Sequence, residues 1–269
     1  MNYKNHKSQI TNKLKLRTEQ GFTLIELSIV IVIIGLIVAG VVGGQVIVRQ
    51  AALRSLVTEY NQYKVAVNAF KLEYDAVPGD FNKADQYWTG ATAGNGDKKV
   101  FNWRTEAVRF WDHLERAELI SGSYTGVQQP ANPRIVGGVN VPSAKFGKGV
   151  LFSADHVSFG NVNTCASANT QRLFGVIDNV NLFIAAKPTA NGCTILPFLE
   201  VKEAHGLDVK IDDGEPAAGI LFSANQGATV SAIRCVDVAT NDGANTDPLE
   251  VDYYLGNSGE VCRLMFRMQ

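Results

Sequence analysis

Gly21-Phe22-Thr23-Leu24-Ile25-Glu26-Leu27-Ser28-Ile29-Val30-Ile31-Val32-Ile33-Ile34-Gly35-Leu36-Ile37-Val38-Ala39-Gly40-Val41-Val42-Gly43-Gly44-Gln45-Val46-Ile47-Val48 decides how this chain is read. From Phe22 to Val48 the only charged residue is Glu26. As a helix the run is about 40 Å long, enough to cross a hydrocarbon core of about 30 Å. A secretory signal has an apolar region of only about 7–15 residues, so this longer run is expected to stay in the membrane. The β-branched Ile and Val do not argue against helix. A single span in lipid can satisfy its backbone only as a helix.

Glu26 is the exception within the run. A carboxylate inside a span costs on the order of 2–3 kcal/mol, less near the end. It either snorkels to the head-groups or finds a cation. No Lys or Arg lies between Phe22 and Val48. Cleavage after Gly21 would create an α-amine on Phe22, about one turn from Glu26 along the axis. Two such helices offset by that amount would set the amine of one against the carboxylate of the next. Such a pair is strong in a low-dielectric setting and fixes register.

Gly21-Phe22-Thr23-Leu24-Ile25-Glu26-Leu27, behind a basic leader and ahead of an apolar run, resembles the class III signal of type IV prepilins and pseudopilins. The resemblance implies that a membrane aspartyl prepilin peptidase cuts after Gly21 and methylates the new amine on Phe22. It gives Glu26 the task of guiding subunits into a helical filament. Gly35 stands where many relatives have a glycine. Gly43-Gly44 stands where many have a helix-breaking proline. Each glycine weakens a helix by up to ~1 kcal/mol.

The charges add a topology. The whole chain of 269 residues has a net charge of −1. The leader holds Lys4, Lys7, Lys13, Lys15 and Arg17 against Glu19. Removing this leader of +4 leaves −5, which speaks against a large basic nucleic-acid face on the mature subunit. A basic segment before a span stays in the cytoplasm. The expected protein is therefore single-pass in the inner membrane, with a cytoplasmic N-terminus. Its head is periplasmic or carried in an extracellular filament.

Beyond Val48 the helix is expected to continue. Leu53, Leu56, Tyr60, Tyr63, Val67, Phe70 and Tyr74 alternate steps of three and four, which lays one apolar stripe on a helix. No proline interrupts before Pro78. One helix from about Phe22 to Tyr74 follows, near 80 Å long. The expected organisation is a leader at 1–21, a span at 22–48, an amphipathic continuation at 49–75 and an α+β head at 76–269. Pro78-Gly79-Asp80 turns the chain. A second amphipathic helix is expected from about Thr105 to Leu119, with Val108, Trp111 and Leu114 on its inner face.

From Gly126 the pattern is β. The candidates are Gly149–Ser153, Leu173–Ile177, Asn181–Ala186, Ile195–Val201, Ile220–Ser223, Thr229–Val236, Val251–Tyr254 and Val261–Phe266. Short strands between Gly, Asn, Asp and Pro clusters suggest an antiparallel sheet. The fold class is thus α+β, a pilin fold as the resemblance implies, with the long helix lying across the sheet. The stretch from Pro78-Gly79-Asp80-Phe81 to Gly122-Ser123-Tyr124-Thr125-Gly126 also resembles a subgroup of proteobacterial prepilin-like proteins.

Cys165, Cys193, Cys235 and Cys262 all follow the span. An even number in an exported domain suggests two disulfides, and three pairings are possible. Cys165–Cys193 with Cys235–Cys262 is favoured because each closes a local loop, worth about 3.5 kcal/mol in the chain-entropy model. None shows the close spacing of structural zinc.

Asp208 to Pro216 reads as an acidic turn. The resemblance extends to this segment, and some major pseudopilins use a calcium in their C-terminal part. Asp212 and Asp213 are the calcium candidates here; no other cofactor is expected. Asn95-Gly96-Asp97 hints at an EF-hand loop, but Lys98 and Arg104 stand where Gly and Glu are needed. The four histidines form no metal-spaced pair, and no Walker loop, Gly-x-Ser-x-Gly or His-Glu-x-x-His is present. No catalytic residue is named and no enzyme is expected. The leading function is a structural subunit, major or minor, of a type IV pilus or a type II secretion pseudopilus. Its partners would be the prepilin peptidase, other pilin or pseudopilin subunits, an inner-membrane assembly platform and the membrane itself. The alternative is a membrane-anchored periplasmic enzyme or binding protein.

Overall fold

The computed structural model describes residues 21–100, 105–130, 134–157, 180–189, 193–224, 234–238 and 251–268. The chain divides into two compact units, Met1–Arg49 and Gln50–Gln269. The fold is α+β, as in pilins: a long N-terminal helix, then short helices and an antiparallel sheet.

Helix α1 runs from Leu24 to Tyr74, 51 residues without interruption. Its end follows from the sequence. Asp75 takes a left-handed conformation (φ 48°) and donates its amide to the Lys71 carbonyl at 3.0 Å. Pro78 then denies the helix a further amide. In the first unit the helix buries nothing: every described residue from Phe22 to Val48 is exposed apart from half-exposed Gly44. In the second unit Leu56, Tyr60, Val67 and Phe70 are buried, while Leu53, Tyr63 and Tyr74 pack against the core from its margin. This is the stripe that the three-and-four spacing lays down.

Helix α2 is the single turn Ala84–Tyr87, and α3 spans Ala107–Arg116. Val108, Trp111 and Leu114 of α3 are buried, as the periodicity predicts, together with Phe110 and His113. Gly79 permits the tight approach of the preceding turn. Its φ is +83°, and a Cβ there would overlap the Glu106 carbonyl. Only glycine takes that conformation without strain.

The strands are β1 (Leu151–Val157), β2 (Val180–Pro188), β3 (Thr194–Leu196), β4 (Leu221–Ala224), β5 (Val236–Val238), β6 (Val251–Tyr253) and β7 (Arg263–Arg267). The main sheet has the order β1-β2-β7-β4, with β3 on β2, and β5 pairs with β6 separately. Every pairing between these strands is antiparallel. Leu151 lies opposite Ala186, Phe183 opposite Phe266, and Met265 opposite Phe222.

Aromatic rings join α1 to this sheet. Tyr60 stacks on Phe266 with centroids 4.5 Å apart and meets Phe183 edge-on at 6.1 Å. Tyr63 meets Phe152 at 5.2 Å and Trp111 at 4.9 Å. Phe183 also touches Phe110 and Trp111, so it joins α1, α3 and the sheet.

The structure corrects one boundary. The expected strand Ile195–Val201 stops at Leu196, and Val201 opens helix α4, Val201–Ile211. A reciprocal cap starts it: Glu200 receives the backbone amide three residues on, and the Glu200 amide donates to Glu203 at 3.1 Å. Glu is an uncommon N-cap residue, and Gly206 in mid-helix further disguises the segment. The expected strand Leu173–Ile177 lies outside the described residues, as does most of Thr229–Val236.

Replacing Phe183 by Ala removes the ring shared by three elements. It is expected to destabilise the folded head by about 3–5 kcal/mol. Chemical unfolding followed by near-ultraviolet circular dichroism checks this.

Candidate functional site

The N-terminus of α1 is built as a capping box. Thr23 donates both its amide and its hydroxyl to Glu26 Oε2 at 2.8 Å, and the Glu26 amide donates to Thr23 Oγ1 at 3.3 Å. Beside the external cation expected for Glu26, its carboxylate thus has this internal use. Its signal was available: Thr-x-x-Glu before an apolar run is the capping-box pattern. Such a cap contributes about 1 kcal/mol. Only one carboxylate oxygen is used, and a carboxylate can accept at both. Gly21, Phe22 and Glu26 are all exposed.

Around this terminus lies an apolar surface with no cover. Leu24–Tyr74 is long and apolar enough to cross a membrane, and it is the one such helix among the described residues. Residues 16–42 match the family model described as Prokaryotic N-terminal methylation motif.

This is the type IV prepilin signal. The prepilin signal supports reading the chain as a type IV pilin-like or pseudopilin precursor and indicates a structural subunit. It spans the end of the leader, the Gly21-Phe22 junction, Glu26 and most of the apolar run. No curated protein and no solved structure is significantly similar to the chain. The head of this prepilin-like chain must therefore be read from its own residues.

Cys235 and Cys262 form a disulfide with Cα atoms 4.9 Å apart, as the loop-length argument predicts. It ties the residue before β5 to the residue before β7. Cys262 is also held by backbone: its carbonyl accepts from Phe198 at 2.9 Å and Leu199 at 3.1 Å. Cys193 is disulfide-bonded too. Cys165, its expected partner, lies outside the described residues.

Other polar side chains of the head have architectural work that the sequence did not disclose. Asp80 accepts the amides of Gly96 (2.6 Å), Asp97 (3.2 Å) and Lys98 (2.6 Å), which pins the loop once compared with an EF-hand. Glu59, buried on α1, accepts the Lys145 amide at both oxygens, at 3.1 and 2.9 Å. Burial raises the pKa of both carboxyls, and their amide partners oppose that rise. Inside the sheet, burial raises Asp155 to about 7 and lowers Arg263 to about 10, while their mutual attraction opposes both shifts.

Asp208 and Asp212 belong to α4 and its end, where the sequence suggested only a turn. Asp208 accepts the Tyr253 hydroxyl at 2.7 Å, and the same hydroxyl reaches Ser223 at 2.8 Å. Burial, with Asp213 and Asp212 nearby, pushes the Asp208 carboxyl up to about 7 against its bond to Tyr253. Among the described residues, Asp208, Asp212 and Asp213 bring carboxylate oxygens within 4.8 Å of one another.

His113 is fully buried on α3. Its Nδ1 accepts the Gly79 amide at 3.0 Å, which assigns the proton to Nε2, 3.0 Å from the Thr92 carbonyl. Burial lowers its pKa to about 4. The unfolded chain therefore binds the proton first on acidification. His113 stabilises the fold above about pH 6.5, and that contribution is lost as pH falls towards about 4. Buried Asp155 has the opposite sign: its contribution is full below about pH 4 and is lost as pH rises through about 7. The comparison with His113→Gln isolates the histidine. Between pH 6.5 and 4 the parent is expected to lose up to about 3 kcal/mol relative to the variant. Imidazole ¹⁵N shifts should show His113 neutral, with the proton on Nε2, at pH 5.

Proposed function

We propose that this chain is a structural subunit of a type IV pilus or type II secretion pseudopilus. Prepilin peptidase removes 1–21 and methylates the amine of Phe22. Residues 22–48 hold the subunit in the inner membrane and later form the filament core. Residues 49–75 carry the helix into a head at 76–269, which is periplasmic or displayed on the filament. The observation that carries this reading is the methylation motif at 16–42 standing at the start of an apolar helix that its own chain leaves bare.

Glu26 then has two partners. Thr23 occupies Oε2. Oε1 is available for the α-amine of Phe22 on a neighbouring subunit, offset by about one helical turn. Packing of apolar helices supplies the adhesion, and the charge pair selects the register. Other pilin or pseudopilin subunits and an inner-membrane assembly platform are the partners this requires.

The N-terminal peptide of the protein isolated from membranes is expected to begin at methylated Phe22 by mass spectrometry. A peptide that begins at Met1 or lacks the methyl group contradicts the maturation step. Glu26→Ala is expected to reach the membrane in normal amount and to leave sheared filaments undetectable. A membrane-anchored enzyme or binding protein would instead tolerate that substitution without effect.

A further inference from the structure

A cleft of about 660 Å³ opens between the second half of α1 and the segment after α3. Small-molecule sites usually have about 300–1,000 Å³. Helix α1 lines it with Asn61, Gln62 and Tyr63, and the later segment with Leu119, Ile120 and Ser121; Lys145 also borders it. The walls are fixed in advance. Glu59 accepts the Lys145 amide at both oxygens, which fastens that loop to the helix. Trp111 and Phe152 meet the Tyr63 ring edge-on at 4.9 and 5.2 Å. Leu119 and Ile120 pack against the core, and the Leu119 amide donates to the Leu114 carbonyl at 3.0 Å.

The fold leaves the polar groups of this cleft unused. Asn61 and Gln62 are exposed, and their amides make no hydrogen bond among the described residues. Burial, then the nearby Glu59 and Tyr124, raise the pKa of Tyr63, so its hydroxyl stays protonated, and no hydrogen bond acts on it. Two amides and a phenol both donate and accept. That inventory narrows the ligand. An extended peptide is held through unpaired backbone of a sheet edge, and an amphipathic helix through an apolar groove. Here the backbone of α1 is already bonded within its helix. A nucleic acid needs a basic face, and Lys145 is the only cationic residue of the described lining, with Glu59 beside it. A pyranose ring fits: hydroxyls on its edge donate and accept, and its C–H faces are apolar enough to lie on Leu119 and Ile120.

We propose that this cleft binds a short neutral glycan. Asn61, Gln62 and the Tyr63 hydroxyl bond the sugar hydroxyls, while Leu119 and Ile120 lie against one face of the ring. Because the walls are held by Glu59, Trp111 and Phe152, little ordering is left to be done on binding. The cleft adds a recognition role to the structural one. It lies wholly within the second compact unit, so binding does not depend on how the N-terminal helix assembles.

The test uses the full-length protein in a polyoxyethylene detergent, whose head-group is not a sugar. Applied to an array of immobilised neutral oligosaccharides, it is expected to retain at least one, and titration with that sugar in solution should saturate. Gln62→Ala and Tyr63→Phe should each weaken its affinity about fivefold, the loss of one neutral hydrogen bond. Both should keep the Tm within about 2 °C of the parent, since neither removes a bond of the fold. Lys202→Ala, on exposed α4 surface away from the cleft, should bind like the parent. Failure to retain any sugar, or equal affinity in the parent and both cleft variants, overturns the proposal. So does a Gln62→Ala variant that loses filaments while the parent binds no sugar, which makes the cleft a contact between copies. The mass of the N-terminal peptide tests the filament reading separately from all of these.

Discussion

Eighteen large apolar side chains from Phe22 to Val48 stand exposed on a single helix. Covering a side chain of this kind is worth about 1.5–3 kcal/mol, so the run as a whole seeks tens of kcal/mol of burial. None of its most apolar stretch is buried among the described residues. On the reading proposed above, lipid or the same helices of neighbouring subunits supply the cover. Against that sum, the few kcal/mol cost of one carboxylate near the helix end is small. On the reading proposed above, the membrane tolerates Glu26, and the role of that residue lies in register rather than adhesion. Hydrophobic contact is non-directional and would allow such helices to slide past one another. A charge pair has a defined position.

The same helix changes character at the boundary of the second unit. Beyond Gln50 its inward residues are aromatic or large aliphatic, and they meet a sheet whose inner face is also aromatic. Tyr60 on Phe266 and Tyr63 against Phe152 and Trp111 are the principal contacts. A head built this way has its core on α1, so the stripe that starts at Leu53 is as necessary to the fold as the apolar run is to anchoring. The disulfide Cys235–Cys262 links the residue before β5 to the residue before β7, and so ties two of the later, short strands together.

Much of this was legible from residue order. The helix from Leu24 to Tyr74 announced itself through an unbroken apolar run and then a clean three-and-four spacing. The inner face of α3 and the pairing of Cys235 with Cys262 followed from period and loop length. Helix α4 did not, because Leu199 and Val201 extend a β-like run and the cap is Glu200 rather than Ser or Asp. The buried roles of Glu59, Asp80, His113 and Asp208 were equally hidden. Each depends on a partner far away in sequence: Lys145, Gly96, Gly79 and Tyr253. No local pattern encodes such pairs. The Thr23–Glu26 cap was legible and overlooked, since the same glutamate also suited a partner on another chain.

On the proposed reading, Glu26 of one subunit meets the amine of Phe22 on the next. Solid-state NMR on filaments assembled from a mixture of subunits tests it most directly. One population carries ¹⁵N at the α-amine of phenylalanine and the other ¹³C at the side-chain carboxyl of glutamate. The account predicts magnetisation transfer between Phe22 nitrogen and Glu26 carboxyl carbon, consistent with an N···O separation within about 4 Å. Filaments that form normally yet show no transfer between those two sites would contradict it.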